Sequence, residues 1–239
     1  IMRHYSPIKE YIQLEKDGKI AKWENKKETL IWRGALTGVN IDTSKKNQLT
    51  THVNGGWRIQ VVKKYFDSDI SMADVAFQEG SPTIEWAPIG IGVDVERLTR
   101  STYTSVEDQM NFKYILMMEG NDVSTGLKWQ LASNSVVFMA RPTTVSYLME
   151  DLLVPFVHYV PLKDDYSDLM EMVNWARNND AKCKWISEQA TAYMDKIFLS
   201  KEAKAEHAAI KKELGNVYHR QFGGALKSCS EKNIGYGSW

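Results

Sequence analysis

Apolar and polar positions alternate most regularly in the second half of the chain. Residues 112–118 form an almost uninterrupted apolar run, and shorter runs follow at 135–139 and 155–160. Such runs are typical of strands that are covered on both faces of a parallel sheet. Residues at helical spacing lie between the runs, over 124–132 and 145–153. The pattern therefore predicts three strands that alternate with helices.

Three further helices are predicted after the last of these strands. Asp168 with Glu171 three residues later is a capping-box pattern, which predicts a helix start. The apolar stripe of that helix is Leu169, Met172, Val173 and Ala176. The next two helices are predicted over 180–198 and 201–222, and the alternating charges of the second are typical of a solvated face.

The first half of the chain is less regular. Residues 30–32 predict a short buried strand, and apolar positions over 59–66 fit one face of a helix. Residues 6–28 are mostly polar, with a short amphipathic helical pattern. The segments 40–56 and 78–105 are rich in loop-forming residue types, so we expect a loop or excursion in the first and an irregular path with room for one short strand in the second.

The alternation of strands and helices predicts an α/β fold, because consecutive parallel strands need a crossover connection that is usually a helix. We expect a Rossmann-like, doubly wound parallel sheet. Ligands of such sheets bind beyond the carboxyl ends of the strands. Three segments of this chain would meet there, at 32–34, 119–124 and 161–168.

Composition narrows the function classes. The 239 residues carry 30 basic and 30 acidic side chains, and this zero net charge argues against a nucleic-acid partner, whose footprint is usually basic. Cys183 and Cys229 are too few for a disulfide framework or a four-ligand zinc site. No apolar run approaches the ~18–20 residues of a membrane span, and the start lacks a signal-peptide core. We therefore expect a soluble, cytoplasmic protein without a membrane span.

The segment from residue 119 carries residue types that bind phosphate. Gly120 permits close approach of the backbone to a ligand. The residues that lead into the following helix start, where free N–H groups attract anions, are Asn121, Asp122 and Ser124. Arg33 is a candidate for a bidentate contact to the same diphosphate, and Lys128 for a point charge. Glu119 and Asp122 repel phosphate, so their carboxylates fit better as acceptors for sugar hydroxyls.

Runs of sequence around these residues resemble glycosyltransferase family 90. The central block is EGNDVSTGLKW at 119–129 with ASNSVV at 132–137. Further stretches that agree are WRG at 32–34, VHYVP at 157–161 and DYSDL at 165–169. The family holds protein O-glucosyltransferases, fungal capsule-associated xylosyltransferases and bacterial lipopolysaccharide-modifying enzymes. This chain is most similar to the microbial branch.

The resemblance implies a two-lobed fold of the GT-B type whose C-terminal lobe holds a nucleotide-sugar donor. It implies an inverting transfer from a UDP-sugar, with UDP-xylose and UDP-glucose as leading donors, to a hydroxyl of a glycan acceptor. No metal or other cofactor is required for such a transfer. The expected domains are 1–29 as a remnant of or link to the N-terminal acceptor lobe, 30–200 as the Rossmann-like donor lobe, and 201–239 as a C-terminal helix and tail.

The resemblance also implies positions around the donor. Arg33 and Gly34 would lie near the diphosphate, the segment 120–124 would line the donor pocket, and 133–135 with 159–168 would flank the nucleoside. The expected donor-binding residues are Arg33, Gly34, Glu119, Gly120, Asn121, Asp122, Ser124, Lys128, Ser135, Tyr159, Tyr166, Ser167 and Asp168.

Two departures from the family pattern affect the chemistry. Gly126 stands where animal members have an arginine, so neutralisation of phosphate would fall more heavily on Arg33, Lys128 and the helix dipole. The general base of the family is an aspartate upstream of the WRG segment, but only 31 residues precede Trp32, and Asp17 is the one aspartate among them. Its polar setting indicates a solvated loop. We therefore expect a reduced or truncated N-terminal lobe, and the sequence does not identify the base.

Two other interpretations stay open. A metal-dependent transferase of the GT-A type uses an acid-x-acid pair after a strand, and Asp94 with Glu96 fits that pattern, with Mn²⁺ as the bridging ion. The missing base motif instead favours a catalytically inactive lobe that binds a nucleotide. Stimulation by Mn²⁺ favours the first interpretation, and UDP binding without transfer favours the second.

Overall fold

Strands and helices alternate along the described part of the chain, which in this computed structural model comprises residues 11, 13–14, 17–42, 48–51, 57–80 and 95–230. The strands are β1 (Lys27–Gly34), β2 (Val39–Asp42), β3 (Gln48–Thr51), β4 (Ala73–Gln78), β5 (Thr99–Arg100), β6 (Phe112–Leu116), β7 (Val136–Met139) and β8 (Val160–Pro161). The α-helices are α1 (Trp57–Tyr65), α2 (Val106–Gln109), α3 (Leu127–Leu131), α4 (Leu169–Asn178), α5 (Asp180–Met194) and α6 (Lys201–Ser230).

Six of the strands form one parallel sheet in the order β5-β4-β1-β6-β7-β8. β1 lies in the middle of the sheet, and β4 and β5 are added in turn on one side of it. β6, β7 and β8 are then added in turn on its other side. This order is the one described for doubly wound dinucleotide-binding sheets, and it confirms the predicted Rossmann-like α/β arrangement. Its switch point lies between β1 and β6, where Leu30 is in register with Tyr114.

Both faces of the sheet are buried, which explains the apolar run at 112–118. Leu30 and Trp32 of β1 belong to the core on one face, where the rings of Trp32 and Phe77 meet edge to face with centroids 5.8 Å apart. Ile31 lies between them in the strand and points to the opposite face, where it is also fully buried. Full burial of each such side chain stabilises the fold by about 1.5–3 kcal/mol.

The segment 145–153 does not form the predicted helix. Ser146 donates to both carboxylate oxygens of Glu150, from its backbone N and from its Oγ, each at 2.6 Å. These local side-chain bonds compete with a helical backbone ladder. Met149 has a φ of +54°, so its backbone is left-handed, and only a 3-10 turn at Glu150–Leu152 follows it.

The predicted capping box at Asp168 is also wrong. Asp168 does precede the first residue of α4, but its side chain makes no cap hydrogen bond. Its Oδ1 instead accepts from the backbone N of Lys163 at 3.0 Å and closes the turn between β8 and α4. The predicted strand at 155–160 is reduced to Val160 and Pro161, because residues 156–158 form a turn.

Two strand features of the first half were not predicted. Residues 73–78 form a complete strand of the sheet, and β2 pairs with β3 as an antiparallel hairpin within the segment 40–56, where a loop was expected. The hairpin tip at 43–47 lies outside the described residues. The amphipathic pattern predicted within 6–28 also lies mostly outside the described residues, because only 11, 13 and 14 are described before residue 17.

A second compact unit begins at Asp195. A π-helical turn at Asp195–Leu199 is followed by α6, which extends beyond the predicted 201–222 to Ser230. Exposed apolar side chains recur every four residues along α6, at Ile210, Leu214, Tyr218 and Phe222. Within the described residues, no helix combines the length and the apolar character that crossing a bilayer requires.

Candidate functional site

A cavity of about 400 Å³ lies where β1 and β6 end, at the switch point of the sheet. Its wall is formed by the end of β1 at 32–34, by Ala35 and Thr37 after it, by Arg58 of α1, by residues 120–126 after β6, and by parts of α2 and α3. We call it the switch-point cavity. It brings together six of the predicted donor-binding residues, namely Arg33, Gly34, Gly120, Asn121, Asp122 and Ser124. Crevices at this position are the usual ligand sites of doubly wound sheets.

The two loops that frame the cavity approach each other so closely that glycine is required. A Cβ on Gly120 would lie 2.5 Å from Thr37 Oγ1 and 3.2 Å from Arg58 Cζ. Gly38 has a φ of +80°, and a Cβ there would lie 3.0 Å from the carbonyl oxygen of Gly120. Asn121 adds a direct bond, since its Oδ1 accepts from the backbone N of Gly38 at 2.9 Å. These contacts fix the cavity rim.

The sequence reasoning missed several cavity-lining residues, among them Arg58 of α1. Its guanidinium donates to four oxygens on the two framing loops: Ala35 O at 3.1 Å, Thr37 Oγ1 at 2.6 Å, Met118 O at 2.9 Å and Glu119 O at 3.1 Å. It also lies over the ring of Trp32, with Cζ 5.7 Å from the centroid. Burial lowers the pKa of the guanidinium to about 10. No pattern in the sequence distinguishes this arginine from an ordinary polar residue at the start of a helix.

Arg33 lines the cavity but is already paired. Its Nη2 lies 2.5 Å from Oδ2 of Asp74, and its Nη1 donates to the carbonyl oxygens of Trp32 and Asp74 at 2.9 Å each. The side chain is 5% exposed, and its buried Nε has no hydrogen-bond partner among the residues that the structure describes. The arginine fork that was predicted to bind a diphosphate is therefore directed into the sheet.

The carboxylate of Glu119 is directed toward another loop. It accepts from Thr143 N at 3.0 Å, from Thr143 Oγ1 at 2.5 Å and from Thr144 N at 3.3 Å. Lys128 is buried on α3 outside the cavity wall, and desolvation lowers the pKa of its ammonium group. Neither side chain lines the cavity.

Ser135 lies at the other end of the sheet from the cavity. It precedes the first residue of β7, where its Oγ accepts from Lys26 Nζ at 2.8 Å and donates to Phe112 O at 2.7 Å. Lys26 also donates to the carbonyl oxygen of Ser133 at 2.7 Å. Ser135 therefore does not line the switch-point cavity.

The predicted residue Tyr159 directly precedes β8, and Tyr166, Ser167 and Asp168 follow it, but none of them lines the switch-point cavity. Tyr166 is buried with a φ of +56°, and its carbonyl oxygen accepts from Tyr65 Oη at 2.7 Å. Burial raises the pKa of the Tyr159 and Tyr166 phenols. Ser167 donates from its backbone N to Asp165 Oδ1 at 3.0 Å, in the same turn that Asp168 closes.

Comparison with known proteins decides the family. The chain matches the profile of Glycosyl transferase family 90 over residues 2–205. It belongs to glycosyltransferase family 90. The resemblance drawn from the runs at 32–34 and 119–137 is thereby confirmed.

Named relatives of this family 90 chain come from bacteria, viruses and animals. It is 39% identical over 95 residues to O-glucosyltransferase LpsA of Dichelobacter nodosus, which covers 40% of this chain and 30% of that protein. It is 33% identical over 85 residues to Protein O-glucosyltransferase 2 of Danio rerio, covering 36% and 17%. Uncharacterized protein 179R of Invertebrate iridescent virus 6 is 27% identical over 207 residues, covering 79% and 17%. The chain thus spans less than a third of each of these relatives.

The acid-x-acid pair of the metal-dependent interpretation is only partly visible in this family 90 chain. Asp94 lies outside the described residues, and Glu96 is exposed in the turn at 95–98. Within the ranges that the structure describes, no cluster of three His, Cys, Asp or Glu side chains is arranged to hold a metal ion.

Proposed function

We propose that this chain is the donor-binding part of an inverting glycosyltransferase that moves glucose or xylose from a UDP-sugar to a hydroxyl of a glycan acceptor, without a metal ion. The observation that carries the proposal is the switch-point cavity, which joins the predicted residues Arg33, Gly34 and 120–124 at the usual ligand position of a doubly wound sheet. A GT-B type of architecture is part of the same proposal.

The cavity wall offers groups for each part of a nucleotide sugar. Gly34 and Gly120 allow the backbone to approach phosphate oxygens closely. The Ser124 hydroxyl and the exposed Asp122 carboxylate are suited to hydroxyl groups of a ribose or a sugar. The indole of Trp129 supplies an aromatic wall.

An inverting transfer has two chemical demands. One carboxylate must take the proton of the acceptor hydroxyl, and the departing diphosphate must be stabilised by cations or N–H donors. We assign the second task to this chain, because its cavity wall includes the guanidinium of Arg58, whose four hydrogen-bond acceptors within the described residues are neutral oxygens. The residue that performs the first task is not assigned. The relatives named O-glucosyltransferases support glucose as one of the two donors considered.

Calorimetric titration tests the proposal. UDP, GDP, UDP-glucose and UDP-xylose are titrated first with EDTA and then with Mn²⁺. A micromolar affinity for UDP in the presence of EDTA supports a donor site that needs no metal ion. Binding that appears only with Mn²⁺ favours the metal-dependent interpretation with Asp94 and Glu96, and no nucleotide binding in either condition contradicts the proposal.

Product analysis separates a transferase from an inactive lobe. The chain is incubated with a UDP-sugar and a panel of glycan acceptors, and the anomeric configuration of any product is read by NMR. An inverted linkage supports the proposed reaction. UDP binding together with the absence of transfer to every acceptor of the panel favours the nucleotide-binding lobe without catalysis.

A further inference from the structure

Three polar side-chain atoms converge on the space above Gly126, in the wall of the switch-point cavity. A Cβ on Gly126 would lie 3.3 Å from Trp129 Nε1, 3.4 Å from Gln130 Nε2 and 3.6 Å from Ser124 Oγ, and all four residues line the cavity. The backbone of Gly126 has a φ of −72° and a ψ of −26°, which any residue adopts. Glycine matters here because it leaves this space open, and we call the space the Gly126 pocket.

The polar groups around the Gly126 pocket lack hydrogen-bond partners in the part of the chain that the structure describes. Gln130 is 6% exposed, and its Oε1 is buried without a partner. Over the same residues, Gln130 Nε2, Trp129 Nε1 and Ser124 Oγ make no hydrogen bond either. A buried amide without partners lowers stability, and native proteins satisfy nearly all such groups. The unused bonds therefore point to a ligand that completes them.

The chemistry of the Gly126 pocket fits a hydroxyl group. The Gln130 amide donates and accepts, the Ser124 hydroxyl does either, and the Trp129 indole only donates, so a group that donates to one and accepts from another is matched. None of the three side chains is charged, whereas phosphate oxygens form their strongest bonds with cations. The three atoms leave room between them for one heavy atom, which suits a hydroxyl oxygen better than the flat edge of a base.

We propose that the Gly126 pocket binds a hydroxyl group of the donor and that Gln130 is its main positioning residue. This inference rests on the proposed function of the switch-point cavity as a UDP-sugar site. A UDP-sugar carries such hydroxyls on the transferred sugar and on the ribose, and their chemistry is the same. The unpartnered amide of Gln130 is then kept for binding at a cost in stability, as is common at functional sites.

Titration with UDP-glucose, UDP and 2′,3′-dideoxy-UDP, together with thermal unfolding, tests the inference. Gln130→Leu should weaken UDP-glucose binding about tenfold, because the bound hydroxyl loses its amide partner. The same variant should unfold at a higher temperature, because an apolar side chain of similar size replaces a buried amide without partners. Gln78→Leu is the matched control. The buried Nε2 of Gln78 also lacks a partner among the described residues, but Gln78 does not line the cavity, so UDP-glucose affinity should not change.

A second variant fills the pocket without touching the amide. Gly126→Ala places a methyl group where the hydroxyl would lie, and its backbone conformation suits alanine. It should weaken UDP-glucose binding to a similar extent. The double variant with Gln130→Leu should lose little more, because both changes remove the same hydrogen bonds.

The three probes identify the hydroxyl. A loss confined to UDP-glucose supports the inference and assigns the hydroxyl to the transferred sugar. An equal loss with UDP that is absent with 2′,3′-dideoxy-UDP also supports it and assigns the hydroxyl to the ribose. Equal losses with all three probes, or wild-type affinities in folded Gln130→Leu, would overturn the inference while UDP binding retains the proposed function. If Gln130→Leu does not fold, Gly126→Ala is judged by the same criteria. A wild-type chain that binds none of the probes would reject the proposed function itself.

Discussion

The guanidinium of Arg33 and the carboxylate of Asp74 form a nearly buried ion pair, with Nη2 and Oδ2 2.5 Å apart and side-chain exposures of 5% and 15%. The two residues lie on neighbouring strands, β1 and β4. Because little water reaches the pair, each charge depends on the other for compensation. The arginine whose sequence context points most directly to phosphate binding thus has a structural partner within the sheet.

Breaking this pair should destabilise the fold strongly. Asp74→Ala leaves a buried guanidinium without its carboxylate, so we expect the free energy of unfolding to fall by about 3–5 kcal/mol in urea denaturation. Replacing both partners, as Arg33→Met with Asp74→Leu, should recover part of this loss, because the buried guanidinium of Arg33 is removed while the 30% exposed Arg100 still loses its 3.4 Å contact with Asp74.

An exposed pair provides the control for that measurement. Asp67 Oδ2 and Arg97 Nη2 also lie 2.5 Å apart, but the side chains of Asp67 and Arg97 are 68% and 62% exposed. Asp67→Ala should therefore cost less than about 1 kcal/mol. Equal decreases in the free energy of unfolding for Asp67→Ala and Asp74→Ala would contradict the structural role of the Arg33–Asp74 pair.

The contact between the framing loops makes a second prediction. Gly120→Ala places a Cβ 2.5 Å from Thr37 Oγ1 and 3.2 Å from Arg58 Cζ, so the loops must separate. We expect UDP affinity to fall about tenfold or more, and a second change, Thr37→Ala, to restore part of it by removing the closest atom. Gly215→Ala is the control, because no atom lies within 4 Å of its added Cβ and the substitution favours the helix by up to about 1 kcal/mol. A Gly120→Ala variant with wild-type affinity would show that the loop spacing does not matter for binding.

The fold was predictable where one physical requirement dominates. The strands at 30–32, 112–118 and 135–139 are apolar on both faces because the sheet is covered on both faces, and such runs are visible in a sequence. The helix expected at 145–153 failed because Ser146 and Glu150 close a local turn, and a pair of polar residues four apart does not show whether it bonds across a helix or within a turn.

The candidate site was predictable where the order of strands and loops along the chain determines a residue's position. It was not predictable where contacts between distant residues determine it. Gly120 and Asn121 belong to a loop that follows a strand, so their position at the carboxyl edge follows from the order of elements. Arg33 is also at that edge, but its pairing depends on Asp74, 41 residues away. The role of Arg58 depends on four oxygens from two other segments, and no local pattern encodes such a set.

The position of Ser135 gives a third prediction. Its Oγ bridges Lys26 Nζ and Phe112 O at the amino end of the sheet, far in the fold from the ends of β1 and β6. Ser135→Ala should lower the free energy of unfolding by about 1–3 kcal/mol, because a buried ammonium loses an acceptor and a carbonyl loses a donor. UDP affinity of the folded variant should equal that of the wild type. A selective loss of UDP affinity at unchanged stability would contradict this prediction and support a position of Ser135 beside the nucleoside.

The contribution of His158 to stability depends on pH below the usual histidine pKa of about 6.5. Burial lowers the pKa of its imidazole below the usual 6.5, and its Nδ1 accepts from the backbone N of Val154 at 2.9 Å, which requires the neutral form on that nitrogen. The unfolded chain therefore binds a proton more readily than the folded one, so stability is complete above pH 6.5 and decreases as pH falls toward the lowered pKa. Loss of the hydrogen bond on protonation corresponds to about 1 kcal/mol. Urea denaturation of the wild type and of His158→Gln at pH 7.5 and 5.5 measures the effect. Since the variant lacks the titrating group, it should lose less stability over this interval, and equal losses in the two proteins would assign the pH dependence to other residues.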